Sequence, residues 1–323
     1  MTILWVCNIC INKVAKHLGK PTVPIGGWLS GMFDMLLSDQ TNKIIVCFPD
    51  SYIYDGKIDD QIKYYSFYKP SQRYERSTEN RIVEILIKET PDVIHIHGTE
   101  FPHCLATINA AKKQGFLKCT VISIQGIISF YAEHFFANLP KKVIYGHTIK
   151  ELIKKDNVYN QKKAFQKKGV YEIESIKNCK YIIGRTNWDK SCAKSYSSNV
   201  TYFHCDEILR EEFYLFENGW KYDQCEKHSI FVSQSGYPIK GFHYVIKALK
   251  LLRNKYPDAV LYTTGVNPFD IPFYKMSSYQ KYLKKLISSL QLRDSVVFLG
   301  SLDAKAMCQR YLNSNVFVSS STF

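Results

Sequence analysis

Along residues 229–265, SIFVSQSGYPIKGFHYVIKALKLLRNKYPDAVLYTTG, the apolar positions change their period twice. A continuous run, Ile230-Phe231-Val232, predicts a short buried strand. Phe242, Val245, Ile246, Leu249 and Leu252 then recur at three- and four-residue steps, one buried face of a helix. Pro257 ends that pattern, and 259–262 resumes as a strand. The loop between the first strand and the helix holds one cation, Lys240, with Gly241 behind it. At such a junction the helix N-terminus offers free N–H groups and the positive end of its dipole, so the loop is a candidate phosphate site.

The same alternation of apolar runs and helical spacing fills the rest of the chain. It predicts strands over 3–7, 43–48, 93–97, 120–124 and 181–184, with helices near 28–37, 77–89, 105–113 and 170–178. After 265 it predicts a helix over 278–290, a strand over 295–299, a helix over 303–312 and a strand over 315–319. This is the pattern of an α/β protein with two Rossmann-like, doubly wound parallel-sheet domains facing a cleft. The expected division is a first domain over 1–205, a linker over 206–228 where apolar periodicity lapses, and a second domain over 229–323. An apolar strand as the last element would leave sheet surface uncovered, so the second domain is expected to be incomplete or covered by another copy.

Composition narrows the function classes. At 323 residues, 46% hydrophobic and 22% charged, the chain suits two globular domains. Ten cysteines without a regular framework fit a reducing cytoplasm, and Cys7-x-x-Cys10 lacks the second pair a zinc site needs. No stretch has the length of a membrane-spanning helix, and the N-terminus does not read as a secretory leader. The net charge of +14, from 43 Lys and Arg against 29 Asp and Glu, favours polyanions, anionic lipid surfaces or phosphorylated substrates. No zinc-finger spacing, RNP-like strand or helix-turn-helix signature points to nucleic acid. The lysine pairs also read plainly as solvated helix faces.

Chemistry-bearing residues gather at predicted strand ends. Gly26-Gly27, after Pro24-Ile25, stands between the first strand and the first long helix. Glycine there permits close backbone approach to a ligand, or simply makes a loop-to-helix turn. The run 91–100, PDVIHIHGTE, is a strand ending in polar residues. Ligands of open α/β sheets bind outside the carboxyl ends of strands, which makes His97 and Glu100 site candidates. Gln125 and Gly126 end the next strand. Arg185 follows another. Thr186 or Asn187 as the cap of the following helix, with Asp189 in its first turn, is a sufficient structural explanation of this segment. The functional reading places Arg185 at the cleft rim, toward an anionic acceptor or donor. Glu207 and Arg210 are three apart, the spacing of an intrahelical pair. The absence of Gly-x-Gly-x-x-Gly argues against a nicotinamide dehydrogenase.

Pro238, Lys240 and Gly241 match the Pro-Glu-Lys-Gly loop of the family 4 retaining glycosyltransferases, GT-B enzymes that use nucleotide-sugar donors. With Gly26-Gly27 and the histidine run at 95–97, the chain resembles that family over nearly its whole length. The resemblance implies transfer of a sugar, with retention of configuration, to a saccharide or lipid-linked acceptor in polysaccharide or cell-envelope glycan synthesis. Gly26, Gly27, Lys240 and Gly265 would serve the donor, with Ser235 supplying a weaker hydrogen bond where the family has arginine. His97, Glu100 and Gln125 would line the reacting and acceptor side, Gln125 standing where a histidine is common; Gly126, Arg185 and Glu207 would form the rim. No cofactor and no metal is expected, because helix dipoles and basic side chains stabilise the leaving diphosphate. The family's paired glutamates would fall beyond Phe323. The missing arginine and Gln125 keep two alternatives open: a nucleotide-sugar 2-epimerase of GT-B fold, and a degenerate GT-B binding module.

Overall fold

The structure is a computed structural model and describes residues 1–22, 26–69, 73–216 and 219–322. Pro24, Ile25 and Phe323 lie outside the described residues. The chain divides into two compact units, one formed by residues 1–130 with 164–210 and the other by 131–163 with 211–323.

Among the described residues the first unit has eight strands: β1 (Thr2–Val6), β2 (Lys43–Asp50), β3 (Asp55–Lys57), β4 (Ile62–Tyr68), β5 (Val93–His97), β6 (Thr120–Ser123), β7 (Tyr181–Gly184) and β8 (Thr201–His204). They form one sheet in the order β3-β4-β2-β1-β5-β6-β7-β8, parallel except for β3. Side chains alternate across a strand, and β1 buries both sets. Leu4 and Val6 enter a core with Ile45, Ile94, Ile122 and the helix residues Ile82 and Ile108. Ile3 and Trp5 enter a second core with Ile44, Val46 and Phe33 of the helix Gly27–Leu37. Apolar cover on both faces is why the central strands read as unbroken hydrophobic runs.

The second unit holds β9 (Glu226–Val232), β10 (Val260–Thr263), β11 (Val296–Phe298) and β12 (Ser314–Phe317). All pairs are parallel, in the order β11-β10-β9-β12. The helix Phe242–Leu252 buries Phe242, Val245, Ile246 and Leu249, the spacing read from the sequence.

The sequence pattern omits β3, β4 and β8, and it shortens the helix Val158–Asn178 to its last half. In β4, IKYYSFY, aromatic residues follow one another without alternation, so no period marks the strand. Residues 206–210 form neither helix nor strand, so Glu207 and Arg210 are not an intrahelical pair. The largest difference is residues 131–163, which the sequence division keeps with the first domain. They join the second unit through buried polar contacts: His243 Nε2 meets Ala137 O at 2.9 Å, and Ser278 N donates to Glu151 Oε1 at 2.8 Å.

Candidate functional site

In the first unit the sheet order runs to β2 on one side of β1 and to β5 on the other, which leaves a crevice beyond the carboxyl ends of β1 and β5. Asn8, just past β1, and Gly98-Thr99-Glu100, just past β5, meet there. Gly98 has a φ of +96°, and a Cβ on it would stand 2.2 Å from Glu100 Oε2, 2.6 Å from Asn8 Nδ2 and 3.3 Å from Gln125 Cγ. Glycine is what lets these three side chains converge. Asn8 donates from Nδ2 to Glu100 Oε2 at 3.4 Å, and its Oδ1 lies 2.8 Å from His103 Nε2. Burial pushes the Glu100 carboxyl up to about 7, from an ordinary 4.5, and the nearby Glu172 adds to the rise. A carboxyl that titrates near neutrality can take up a proton and return it.

Gln125 also borders a largely apolar concavity of about 310 Å³, with Trp28, Met32, Ile183, Arg185 and Glu207 among its walls. Arg185 donates from Nη2 to Gln125 O at 2.8 Å and pairs with Glu207, Nη1 to Oε1, at 2.7 Å. The Glu207 contact is close but off the hydrogen-bond axis, so it is held mainly by charge. Thr186 caps the helix Asn187–Tyr196, accepting from Asp189 N at 3.0 Å. Three of the expected residues, Gln125, Arg185 and Glu207, thus share one wall.

His97 is placed differently. It is 1% exposed, packed between the rings of His95 at 3.9 Å and Trp5 at 4.4 Å, and it does not line the 310 Å³ concavity. Burial holds its pKa well below the ordinary histidine range. Both of its ring nitrogens lack a partner among the described residues, at a cost of about 1–3 kcal/mol for each unsatisfied group. His95 has its Nε2 at 2.6 Å from Ser123 Oγ, and burial lowers it to about 4. The three histidines of this segment are therefore held differently: His95 against Ser123, His103 against Asn8, and His97 by ring packing. Gly26 caps the helix Gly27–Leu37 with a φ of +78°, and a Cβ on Gly27 would meet Arg210 Nε at 2.0 Å. The space over Gly27 is filled by Arg210.

A buried glutamate that the sequence did not single out organises the segment after β6. Glu172, on the helix Val158–Asn178, accepts from Ile128 N at 3.1 Å and from Ser129 N at 2.9 Å. It also accepts from Ser129 Oγ at 2.6 Å and Thr99 Oγ1 at 2.7 Å. Thr99 Oγ1 lies 3.2 Å from Gly126 O as well, so Gly126 is held to the end of β5. One signal was available: Glu172 stands one turn before Ile176 on the helix, and Ile176 is buried.

In the second unit the order reverses between β9 and β12, and a polar concavity of about 110 Å³ lies beyond their carboxyl ends. Ser233, Gln234, Lys240 and Ser319, Ser320 and Ser321 line it. The turn Pro238–Lys240 ends at Gly241, whose φ is +68° and whose Cβ would stand 1.9 Å from Ser320 O. This approach lets Ser320 Oγ donate to Lys240 O at 2.7 Å. Lys240 is half-buried, burial lowers its pKa, and it forms no ion pair among the described residues. Ser235 and Gly265 are not among the residues that line the concavity. Ser235 is buried and donates to Thr264 O at 2.7 Å, and a Cβ on Gly265 (φ +107°) would meet Ser235 Oγ at 2.8 Å. The serine cluster at 319–321 was legible only as composition, because its approach to Lys240 depends on strand order.

Residues 220–323 match the family described as Glycosyl transferases group 1. Solved structures of similar architecture include sucrose-phosphate synthase from Thermosynechococcus elongatus, with TM-score 0.59 and 10% identity over 100% of this chain and 76% of that one. The fold is GT-B. Another such structure is α,α-trehalose 6-phosphate synthase from Burkholderia multivorans, with TM-score 0.55 and 10% identity over 98% of this chain and 77% of that one. A third is UDP-GlcNAc 2-epimerase from Methanocaldococcus jannaschii, at TM-score 0.50 and 10% identity over 98% and 78% of the two chains. At these identities the likeness concerns the fold alone. No curated protein sequence matches the chain. The matched stretch contains all four strands of the second GT-B sheet and the Lys240 concavity.

Proposed function

We propose that the chain transfers a sugar, with retention of configuration, from a nucleotide-sugar donor to a saccharide or lipid-linked acceptor in polysaccharide or cell-envelope glycan synthesis, on the cytoplasmic side. The observation that carries the reading is Lys240: a half-buried ammonium with no counter-ion among the described residues, set among serines at the switch point of the sheet matched to glycosyltransferases. A leaving nucleoside diphosphate is the group such a site fits, since the cation acts on charge that develops as the bond to the sugar breaks. In the reaction the bond between the sugar's anomeric carbon and the phosphate oxygen breaks, and one to the acceptor oxygen forms. The acceptor hydroxyl gives up its proton, and Glu100 is the carboxyl poised near neutrality to receive it. Gln125 and Arg185 would hold acceptor hydroxyls at the wall they share.

The test is turnover of a panel of nucleotide-sugars with oligosaccharide and lipid-linked acceptors, the product's anomeric configuration being read by NMR. Lys240→Ala should lower the rate by about a hundredfold or more; near-parent turnover would refute the role of Lys240. A second reading, epimerisation at carbon 2 of a nucleotide-sugar, draws on Glu100, because that chemistry also needs a carboxyl able to move a proton. Recovery of an epimeric nucleotide-sugar with no glycoside would select it over transfer.

A further inference from the structure

The second unit carries an apolar surface that the Lys240 site does not use. The helix Ile149–Lys154 opens with a capping box in which Thr148 Oγ1 accepts from Glu151 N at 3.2 Å and Glu151 Oε2 accepts from Thr148 N at 3.0 Å. Glu151 is buried and also accepts from Ser278 N at 2.8 Å and Ser278 Oγ at 2.5 Å. The inward side of this helix is thus polar and satisfied, and its large apolar side chains face water. Ile149 is 54% exposed, Leu152 61% and Ile153 78%. The adjoining turn Phe273–Lys275 exposes Phe273 by 69% and Tyr274 by 57%. Scattered apolar residues are normal on a surface, whereas a contiguous group of this size marks an interaction site.

The charge around this group has one sign. Residues 149–155 hold three lysines and residues 272–285 four, against one acid, the buried Glu151. Lys281 Nζ stands 3.6 Å from the centre of the Phe273 ring, and Lys275 Nζ 5.6 Å from that of Tyr274, so cations border the apolar side chains directly. The next acids along the chain are Asp156, one of whose carboxylate oxygens is buried, and Asp270, which accepts from Asn267 Nδ2 at 3.0 Å. No helix among the described residues is long and apolar enough to cross a membrane.

We propose that this patch seats the protein on an anionic lipid surface, with Ile149, Leu152, Ile153 and Phe273 entering the headgroup boundary and the lysines remaining among the phosphates. Aliphatic side chains at the centre with ammonium groups at the rim are complementary to such a boundary. A nucleic acid would use the cations and leave the aliphatic group in water. The proposal stands apart from the glycosyl-transfer reading, since it concerns binding and needs no turnover.

Flotation of the whole chain with vesicles of equal parts phosphatidylglycerol and phosphatidylcholine tests it. The parent should float with these vesicles and stay behind with phosphatidylcholine alone. Ile153→Ser combined with Phe273→Ser leaves the charge unchanged and alters only exposed side chains, so its melting point should hold while its partition falls about tenfold. Lys150→Ala with Lys154→Ala should lower partition by about tenfold as well. A serine variant that floats like the parent would overturn the patch and leave only diffuse attraction by the net charge. So would a parent that never floats. Light scattering that finds a parent dimer abolished by the serine pair would assign the surface to a second copy and overturn the lipid reading.

Discussion

A carboxyl folded over Gly98 and touched by Asn8 loses its proton only as the pH approaches about 7, because burial disfavours its charged form. The consequence for stability has a definite sign. The folded-state pKa lies above the ordinary 4.5, so stability present below about 4.5 is lost as the pH climbs through about 7. Glu100→Gln removes that loss. Thermal melts should show the variant above the parent once the pH exceeds about 7, with the gap closing below about 4.5; a constant gap at all pH values would contradict the assignment. If ionised Glu100 takes the acceptor's proton, parent turnover should rise through the same interval and the variant should lack that limb. Glu100 was legible from the sequence as a polar residue ending a buried strand. The surroundings of His97 were not: alternation fixes its face of the strand, but only the assembled sheet puts Trp5 against it and Trp28 within 5.6 Å.

Elements with a clean period were legible almost to the residue, as the match of β5 (Val93–His97) and β7 (Tyr181–Gly184) to their apolar runs shows. The helix Val158–Asn178 was read only from 170 onward, because its first half carries Gln, Lys and Phe without one apolar face. The same helix holds, in the half that was read, the residue that joins three elements. Glu172 satisfies the first N–H groups of the helix Ile128–His134, the Ser129 hydroxyl and the hydroxyl that follows β5. Burial raises its pKa even though every one of those contacts favours the charged form. Glu172→Ala would strand several buried donors at about 1–3 kcal/mol each. It should therefore lower unfolding stability by about 3 kcal/mol or more in a denaturant titration. Glu172→Gln keeps an acceptor and should cost markedly less. Equal and small losses in both variants would mean that Glu172 does not organise the segment.

At the scale of the molecule, the two sheets were legible as two αβ alternations, while the transfer of residues 131–163 to the second unit was not. That transfer depends on pairs far apart in sequence, such as Glu151 with Ser278 and Ala137 with His243, which no local period encodes. The candidate site divides along the same line. The Glu100 cluster and the Gln125–Arg185–Glu207 wall belong wholly to the first unit, and the Lys240 concavity wholly to the second, with no lining residue in common. Sites without shared partners should respond to mutation independently. By calorimetry, Lys240→Ala should weaken binding of a nucleoside diphosphate about tenfold or more through loss of a charge-assisted contact, and Glu100→Gln should leave that affinity within about twofold. Turnover should fall in both, and the double variant should show the two losses added in free energy. If Glu100→Gln weakens nucleotide binding as much as Lys240→Ala does, Glu100 belongs to the donor site, and its assignment to the acceptor side fails.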